Sequence, residues 1–477
     1  MQFVGCVTNC RVVQLLRTRV VEVSRRRHVR ALLCVAVLVV PVPVACADAS
    51  ALGISPIQLS YGSAPANSGS MDPSISGDNR KGRIVAFTSE ATNLAGGDNN
   101  ASQDIYLWQR RHGPPRQSWG RSGQGSITRI SRTPSGGAPN GDSYAPAVDG
   151  AIAVLDRDSA PSCVVYASTA TNISLQDQSP DADIYRYELR SGKTTLISRT
   201  AFGDAGSPLV SGDCTQIVWQ DKAGVVRWQN GREKRYPGAT SPDLSGDGRA
   251  FAFERAGTVY YVRDSGPALA VSSGSNPKVT YGQRLHGQRA ARFGIAFDSD
   301  EQLLGLDHND GSDVYFAHYA GSKRHRTKLE LASRITPKRS AVENHVAGVS
   351  AYAQHKGNVV FTIDTGGLTQ LVYYSRRFGF FDSLAFATAP TGESGIQNVS
   401  VSPRNNYITW DSPGGTAHQS ISTKAIRQLV HDSTASGPRP LPGAFGKPKP
   451  ANKPRQVYGK FTICAPPIAG GNRPCRY

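Results

Sequence analysis

The sequence predicts an all-β protein, a β-propeller of four-stranded antiparallel blades, and three observations carry that prediction. One polar phrase recurs three times with fixed spacing. A second phrase, with a Pro in most copies, marks seven places along the chain. The composition, with 49 Gly and 30 Pro but only 2 Met at 39% hydrophobic, suits short strands joined by turns. Recurrence on this scale is the mark of a repeat architecture, in which each unit buries its apolar face only against its neighbours.

Before the repeats, Arg11, Arg17, Arg19, Arg25, Arg26, Arg27 and Arg30 precede an apolar stretch, residues 31–44, that ends in Ala45-Cys46-Ala47. A basic region, an apolar region and small residues before a cut predict a secretory signal over residues 1–47. The apolar run is shorter than the ~20 residues a membrane span needs. An alternative is lipidation at Cys46, because Val44-Ala45-Cys46 resembles the end of a lipobox. No transmembrane span is expected after signal removal, and the location expected is periplasmic or secreted. The formal charge of +18 falls when this segment leaves, but the remainder stays basic.

The propeller is expected over residues 48–432. Its phase is set by Asp72-Pro73-Ser74-Ile75-Ser76-Gly77-Asp78, Ser207-Pro208-Leu209-Val210-Ser211-Gly212-Asp213 and Ser241-Pro242-Asp243-Leu244-Ser245-Gly246-Asp247. Looser copies start at Ala145-Pro146, Asn276-Pro277, Gly348-Val349-Ser350 and Asn398-Val399-Ser400. Each reads as a short inner strand, a turn rich in Gly, Asp or Asn, and a strand of buried aromatic and β-branched residues. Seven phase marks predict seven blades; six is the alternative, because residues 276–334 are weakly patterned. Ile57-Gln58-Leu59-Ser60 precedes the first mark and is expected to complete the last blade, hiding a sheet edge.

The polar phrase reads Asp98-Asn99-Asn100-Ala101-Ser102-Gln103-Asp104-Ile105-Tyr106, then Asp177 through Asp183-Ile184-Tyr185, then Asp307-His308-Asn309-Asp310-Gly311-Ser312-Asp313-Val314-Tyr315. In register with the first phrase it links the second strand of a blade to the third. A fourth strand follows at Thr128-Arg129-Ile130-Ser131 or Leu196-Ile197-Ser198.

Read together, the two phrases are similar to TolB-like propeller repeats, a bacterial, WD-like family whose units run from a Pro-x-hydrophobic-Ser-x-Asp-Gly-Arg turn through a Val-Ala-Phe strand to Asp-hydrophobic-Tyr. The resemblance spans most of residues 54–430. It is specific at residues 72–87 and 241–253 and degenerate after 276. Ser89-Glu90-Ala91-Thr92-Asn93-Leu94 and Ser168-Thr169-Ala170-Thr171-Asn172-Ile173 look like a secreted subgroup of these repeats. The resemblance implies an extracytoplasmic binding scaffold, acting through protein contacts, and it carries no catalytic motif.

Two readings of the Asp phrase stay open. Asp98, Asn100 and Asp104, and again Asp307, Asn309 and Asp313, offer hard oxygen ligands to calcium. Alternatively the same side chains cap turns by bonding their own backbone, and no bidentate Glu follows as an EF-hand loop requires. No other cofactor is expected. Four cysteines lie beyond the signal: Cys163 and Cys214, placed to bridge neighbouring blades, and Cys464 and Cys475, which flank a turn-rich loop.

No Gly-x-Ser-x-Gly elbow, His-Glu-x-x-His, P-loop or dinucleotide fingerprint is present, so no catalytic residue is assigned. The alternative to a non-enzymatic scaffold, implied by the resemblance of this fold to propeller lyases that use His with a divalent metal, is a metal-assisted lyase or hydrolase of anionic glycans, drawing on some of His286, His308, His318, His345 and His355. Residues 433–477 form a basic, Pro/Gly-rich extension without Asp or Glu. A protein or cell-envelope polymer is the partner expected, with no nucleic acid, and the chain is expected to act as a monomer.

Overall fold

The computed structural model describes residues 57–59, 64, 66–77, 84–110, 125–149, 161–177, 179–198, 203–280, 293–319, 326–336, 339–340, 344–350, 358–365, 368–375, 380–390, 397–401, 407–414 and 418–425. Beyond residue 334, side chains are described only at 359–362, 398–401, 409 and 410. The chain divides into two units, Met1–Ala47 and Asp48–Tyr477, and the first lies outside the described residues. So does the basic extension with Cys464 and Cys475.

Among the described residues there is no helix, and seven four-stranded antiparallel sheets follow one another in chain order. These are the blades of a propeller. Blades 1 to 6 run over residues 70–129, 143–196, 206–237, 240–273, 275–331 and 344–390. Blade 7 takes three strands from Gln397–Val401, Tyr407–Gly414 and His418–Ala425, and its fourth from Ile57–Gln58. Ile57 pairs with Thr423 and Gln58 with Ser422, which closes the ring as the sequence predicts. Blade 5 is complete despite its weak patterning, which removes the six-blade alternative. A two-stranded ribbon, Arg334–Thr336 with Arg339–Ser340, lies between blades 5 and 6 in sequence.

The second strands carry the core. Ile84–Ser89, Cys163–Ser168 and Phe293–Ser299 are buried at every position, because both faces of these strands meet neighbouring blades. That is why they read as near-continuous apolar runs and not as alternation. The first strands of adjacent blades lie against one another around the axis.

Each of these first strands is bent by a bulge. Asp72, Ala145, Ser207, Ser241 and Asn276 all hold φ between 48° and 52°, each directly before its Pro, and Asn398 holds 46° in blade 7. The pairing register of the first strand slips at the same places. Past the Pro, a ring of side chains reaches the next blade: Ser74 Oγ accepts the Val148 N–H at 3.0 Å and Asp243 the Val279 N–H at 2.5 Å. Ser400 Oγ accepts the Ile75 N–H at 3.2 Å across the closure.

At the end of the first strand, one side chain caps the start of the second. Ser76 Oγ accepts from Ile84 N, Ser211 Oγ from Gln216 N, Ser245 Oγ from Ala250 N and Thr280 Oγ1 from Gly294 N, at 2.9 to 3.2 Å. In blade 2 the same place is held by Asp149, whose Oδ1 accepts from Cys163 N at 3.1 Å.

The left-handed bulge residue penalises a branched Cβ. Ser241→Val is expected to destabilise the chain by about 1–2 kcal/mol, whereas Ser241→Gly should be neutral or stabilising. Urea unfolding of the two variants checks this; equal midpoints would show that the bulge relaxes without strain.

Candidate functional site

The loops joining second to third strands emerge on one rim, together with the connections between blades. The turns joining first to second and third to fourth strands emerge on the other. On the first rim the Asp phrase builds the same cluster three times. Tyr106, Tyr185 and Tyr315 each stack on the residue paired with them on the second strand, Phe87, Tyr166 and Phe297, with ring centroids 5.7 to 5.9 Å apart. Each phenol donates to the first carboxylate of its phrase, Asp98, Asp177 or Asp307. Burial and that carboxylate push all three phenols well above their ordinary pKa.

The second carboxylate of each phrase is held by a serine just past the fourth strand. Ser131 Oγ donates to Asp104 and Ser198 Oγ to Asp183, each at 2.5 Å, and Ser333 Oγ donates to Asp313. The same hydroxyls accept the N–H of Ile105, Ile184 and Val314 at 2.8 to 3.0 Å. Spacing alone did not expose these serines, although a hydrophobic residue followed by Ser recurs at the end of each fourth strand.

The clusters differ in one group. In blade 1 the strand register sets Arg129 opposite Tyr106, and its guanidinium lies 3.3 Å from Asp98 and 3.5 Å from Asp104. A fixed positive charge therefore stands between the two carboxylates. Leu196 and Leu331 occupy that register in blades 2 and 5. Asn100 gives its Nδ2 to Pro139 O at 2.9 Å, so it ties the loop to the blade connection. In blade 5, Asn309 Nδ2 reaches Asp313 at 2.9 Å and its Oδ1 caps Gly311 N at 2.7 Å. Asp177 Oδ1 caps Ser179 N at 3.0 Å, while Asp181 is exposed. Turn capping is thus performed by several of the residues that also offer ligands to calcium.

Burial is the first cause of the titration behaviour of these acids. It lifts Asp104 and Asp183 to about 6, and it lifts Asp313 further with the help of the facing Asp307 carboxylate. Asp243, beside the axis, is raised to about 6 by burial despite the nearby Lys278.

The recurring Ala-Thr-Asn segments have a partner the sequence did not reveal. Asn67 Oδ1 accepts Thr92 N, Asn67 Nδ2 donates to Thr92 Oγ1, and Asn67 N donates to Asn93 Oδ1, all at 3.0 Å. Asn140 repeats the set with Thr171 and Asn172 at 2.9 to 3.0 Å. Each set ties the connection entering a blade to that blade's second-to-third loop.

On the opposite rim, Cys163 and Cys214 form a disulfide with Cα atoms 6.3 Å apart, joining blade 2 to the first turn of blade 3. It continues a chain of links between these turns, with Gly77 N donating to Asp149 O between blades 1 and 2 and Gly212 N to Gly246 O between blades 3 and 4. Of the histidines, His318 lies on the third strand of blade 5 and meets Glu330 at 3.1 Å, and His308 lies in the Asp loop. His286, His355 and the side chain of His345 fall outside the described residues. Among the described residues, the ring that follows the bulge is Ser74, Ala147, Leu209, Asp243, Lys278 and Ser400.

Sheet order and closure define the class: a seven-bladed β-propeller. The chain matches no family model and no curated protein. Similar solved structures include TolB from Acinetobacter baumannii, at 12% identity and a TM-score of 0.33, covering 70% of this chain and 57% of that one. Another is the mitotic checkpoint complex, at 8% identity and a TM-score of 0.39, covering 74% of this chain and 89% of the other. A third is a prolyl endopeptidase, at 12% identity and a TM-score of 0.41, covering 77% of this chain and 50% of the other. This chain therefore spans little more than half the length of that TolB. The likeness is one of fold alone.

Two measurements follow from these clusters. A carboxyl raised in the folded state adds stability that is complete below its unfolded pKa near 4 and is lost as pH rises through about 6. Asp204 and Asp264 are shifted downward, by hydrogen bonds from Ala182 N and from Arg249 respectively, and act only below that window. The melting temperature is therefore expected to rise on acidification from about pH 7.5 to about pH 5, and Asp183→Asn should flatten the rise; a fall over that range contradicts it. Calcium in excess over EGTA is expected to leave the melting temperature unchanged. A calcium-dependent rise abolished by Asp313→Asn would instead assign the metal to blade 5.

Proposed function

We propose that this chain is an exported, non-enzymatic propeller that binds a protein or cell-envelope partner through one rim. The observation that carries the reading is the chemistry of the axis. Its described ring of Ser74, Ala147, Leu209, Asp243, Lys278 and Ser400 supplies one carboxylate and one ammonium, neither arranged with histidine as a metal-assisted lyase requires. Asp243 is already engaged by the Val279 N–H. The buried acids of the first rim are bonded inward to tyrosine and serine, which makes them structural parts of the blades.

That rim also holds apolar side chains out to solvent. Leu175 is 90% exposed and Leu306 36% exposed, both just ahead of the first Asp of their phrase. A loop pinned at both ends by buried hydrogen bonds, with an exposed leucine at its crest, is a rigid contact element at low entropic cost. Export rests on the basic and apolar pattern of residues 1–47. Among the described residues no helix is long and apolar enough to cross a membrane.

Leu175→Asp is expected to leave the melting temperature unchanged while reducing, by about tenfold, the capture of a partner cross-linked in the envelope fraction. Release of unsaturated ends from an acidic polysaccharide by the purified chain, dependent on a divalent metal, would replace this reading with the lyase.

A further inference from the structure

The repeat departs from itself at one buried position. Ser76, Ser211, Ser245 and Thr280 cap the second strands of blades 1, 3, 4 and 5 with a neutral hydroxyl. Blade 2 places a carboxylate there, Asp149, which is only 2% exposed. A hydroxyl performs the capping elsewhere in the same fold, so capping does not account for the negative charge. Burying an anion is costly unless something compensates it.

The same blade opens its second strand with Cys163, bonded to Cys214 of blade 3. The two Sγ atoms and a carboxylate oxygen of Asp149 lie within 4.8 Å of one another, and among the described residues they are the one group of three or more His, Cys, Asp or Glu so placed. We propose that, once a dithiol has reduced the disulfide, Cys163, Cys214 and Asp149 hold a thiophilic divalent cation of the zinc type between blades 2 and 3.

The step balances. The dithiol passes two electrons and two protons to the sulfur pair and becomes a disulfide itself, leaving two thiols. Cation binding then displaces both thiol protons to solvent, so two thiolates and one carboxylate surround the metal. Two sulfurs and one oxygen form three corners of the tetrahedron that zinc prefers, with the fourth open to water. The Cα separation of 6.3 Å already suits two side chains converging on one atom.

Asp149 is preset for this role. Its Oδ1 accepts from Ser162 N at 2.7 Å and from Cys163 N at 3.1 Å, and its Oδ2 accepts from the Ser162 hydroxyl. Those bonds fix the carboxylate beside the sulfurs and leave lone-pair capacity unused, since an ionised carboxylate offers about four acceptor sites. Cys163 and Asp149 are buried while Cys214 is half-buried, which gives reductant and cation a way in. The metal would replace the covalent staple between two blades with a coordinate one.

The probe is Co2+ added without oxygen to the full chain, after reduction with a phosphine. Thiolate-to-cobalt charge-transfer bands and tetrahedral visible bands are expected at about one equivalent for this site, and oxidised protein should lack this component. Asp149→Ser installs the cap used by blades 1, 3 and 4, so it should fold; Asp149→Asn is the second variant. Both should weaken Co2+ binding at least tenfold. Paired Cys163→Ala and Cys214→Ala should remove this component while the remaining cysteines stay in place. No bands in the reduced chain, unchanged bands without the two cysteines, or unchanged affinity in both Asp149 variants would each overturn the site.

Discussion

A blade of this protein cannot hide its own core. Its second strand is buried on both faces, so the apolar residues of one sheet depend on sheets before and after it. Everything else in the architecture follows from that dependence. The first strands must meet around the axis, the turns must hold neighbouring blades in step, and the last blade must find the first. Backbone N–H groups donated to Ser74, Asp243 and Ser400 of the preceding blade meet the first need. The links between first turns, one of them a disulfide, meet the second.

Polar groups inside such a stack have to be satisfied where they are buried, some across the seam to the next blade and others within their own blade. The Asp phrase solves this with a short closed network: tyrosine to the first carboxylate, serine to the second, and backbone N–H to serine. Buried networks of this kind rigidify a loop when every member is bonded. Arg129 adds a neutralising charge in blade 1, and its replacement by leucine in blades 2 and 5 leaves two facing acids there. Burial raises the second carboxylate in all three blades; Arg129 opposes that rise in blade 1, and the facing Asp177 and Asp307 add to it in blades 2 and 5.

Blade number, strand order and closure were legible in the sequence because the two phrases recur in fixed phase. The bulges were not. A left-handed residue is ordinarily announced by Gly or Asn, yet in blades 1 to 4 it is Asp72, Ala145, Ser207 or Ser241. Each also precedes a proline, where local sterics favour an extended backbone. Packing of first strands about the axis overrides both local preferences. The spacing from Asp98 to Tyr106 was visible, but its meaning needed the strand register that turns the phenol back onto the carboxylate. The oddity of Asp149 became visible only when five turns could be aligned by the N–H they cap. Cys163 and Cys214 were readable because equivalent second strands begin near both.

The strand that completes blade 7 is made before blades 1 to 6, and its partner is made after them. Ile57 must wait for Thr423, which at ordinary rates of synthesis means a delay on the order of tens of seconds. Until then the blades already made form an open arc with an unpartnered apolar blade face at each end. Vectorial synthesis therefore leaves the propeller open to mispairing until blade 7 has been made. Its ring closure rests on a contact that spans the whole propeller in sequence.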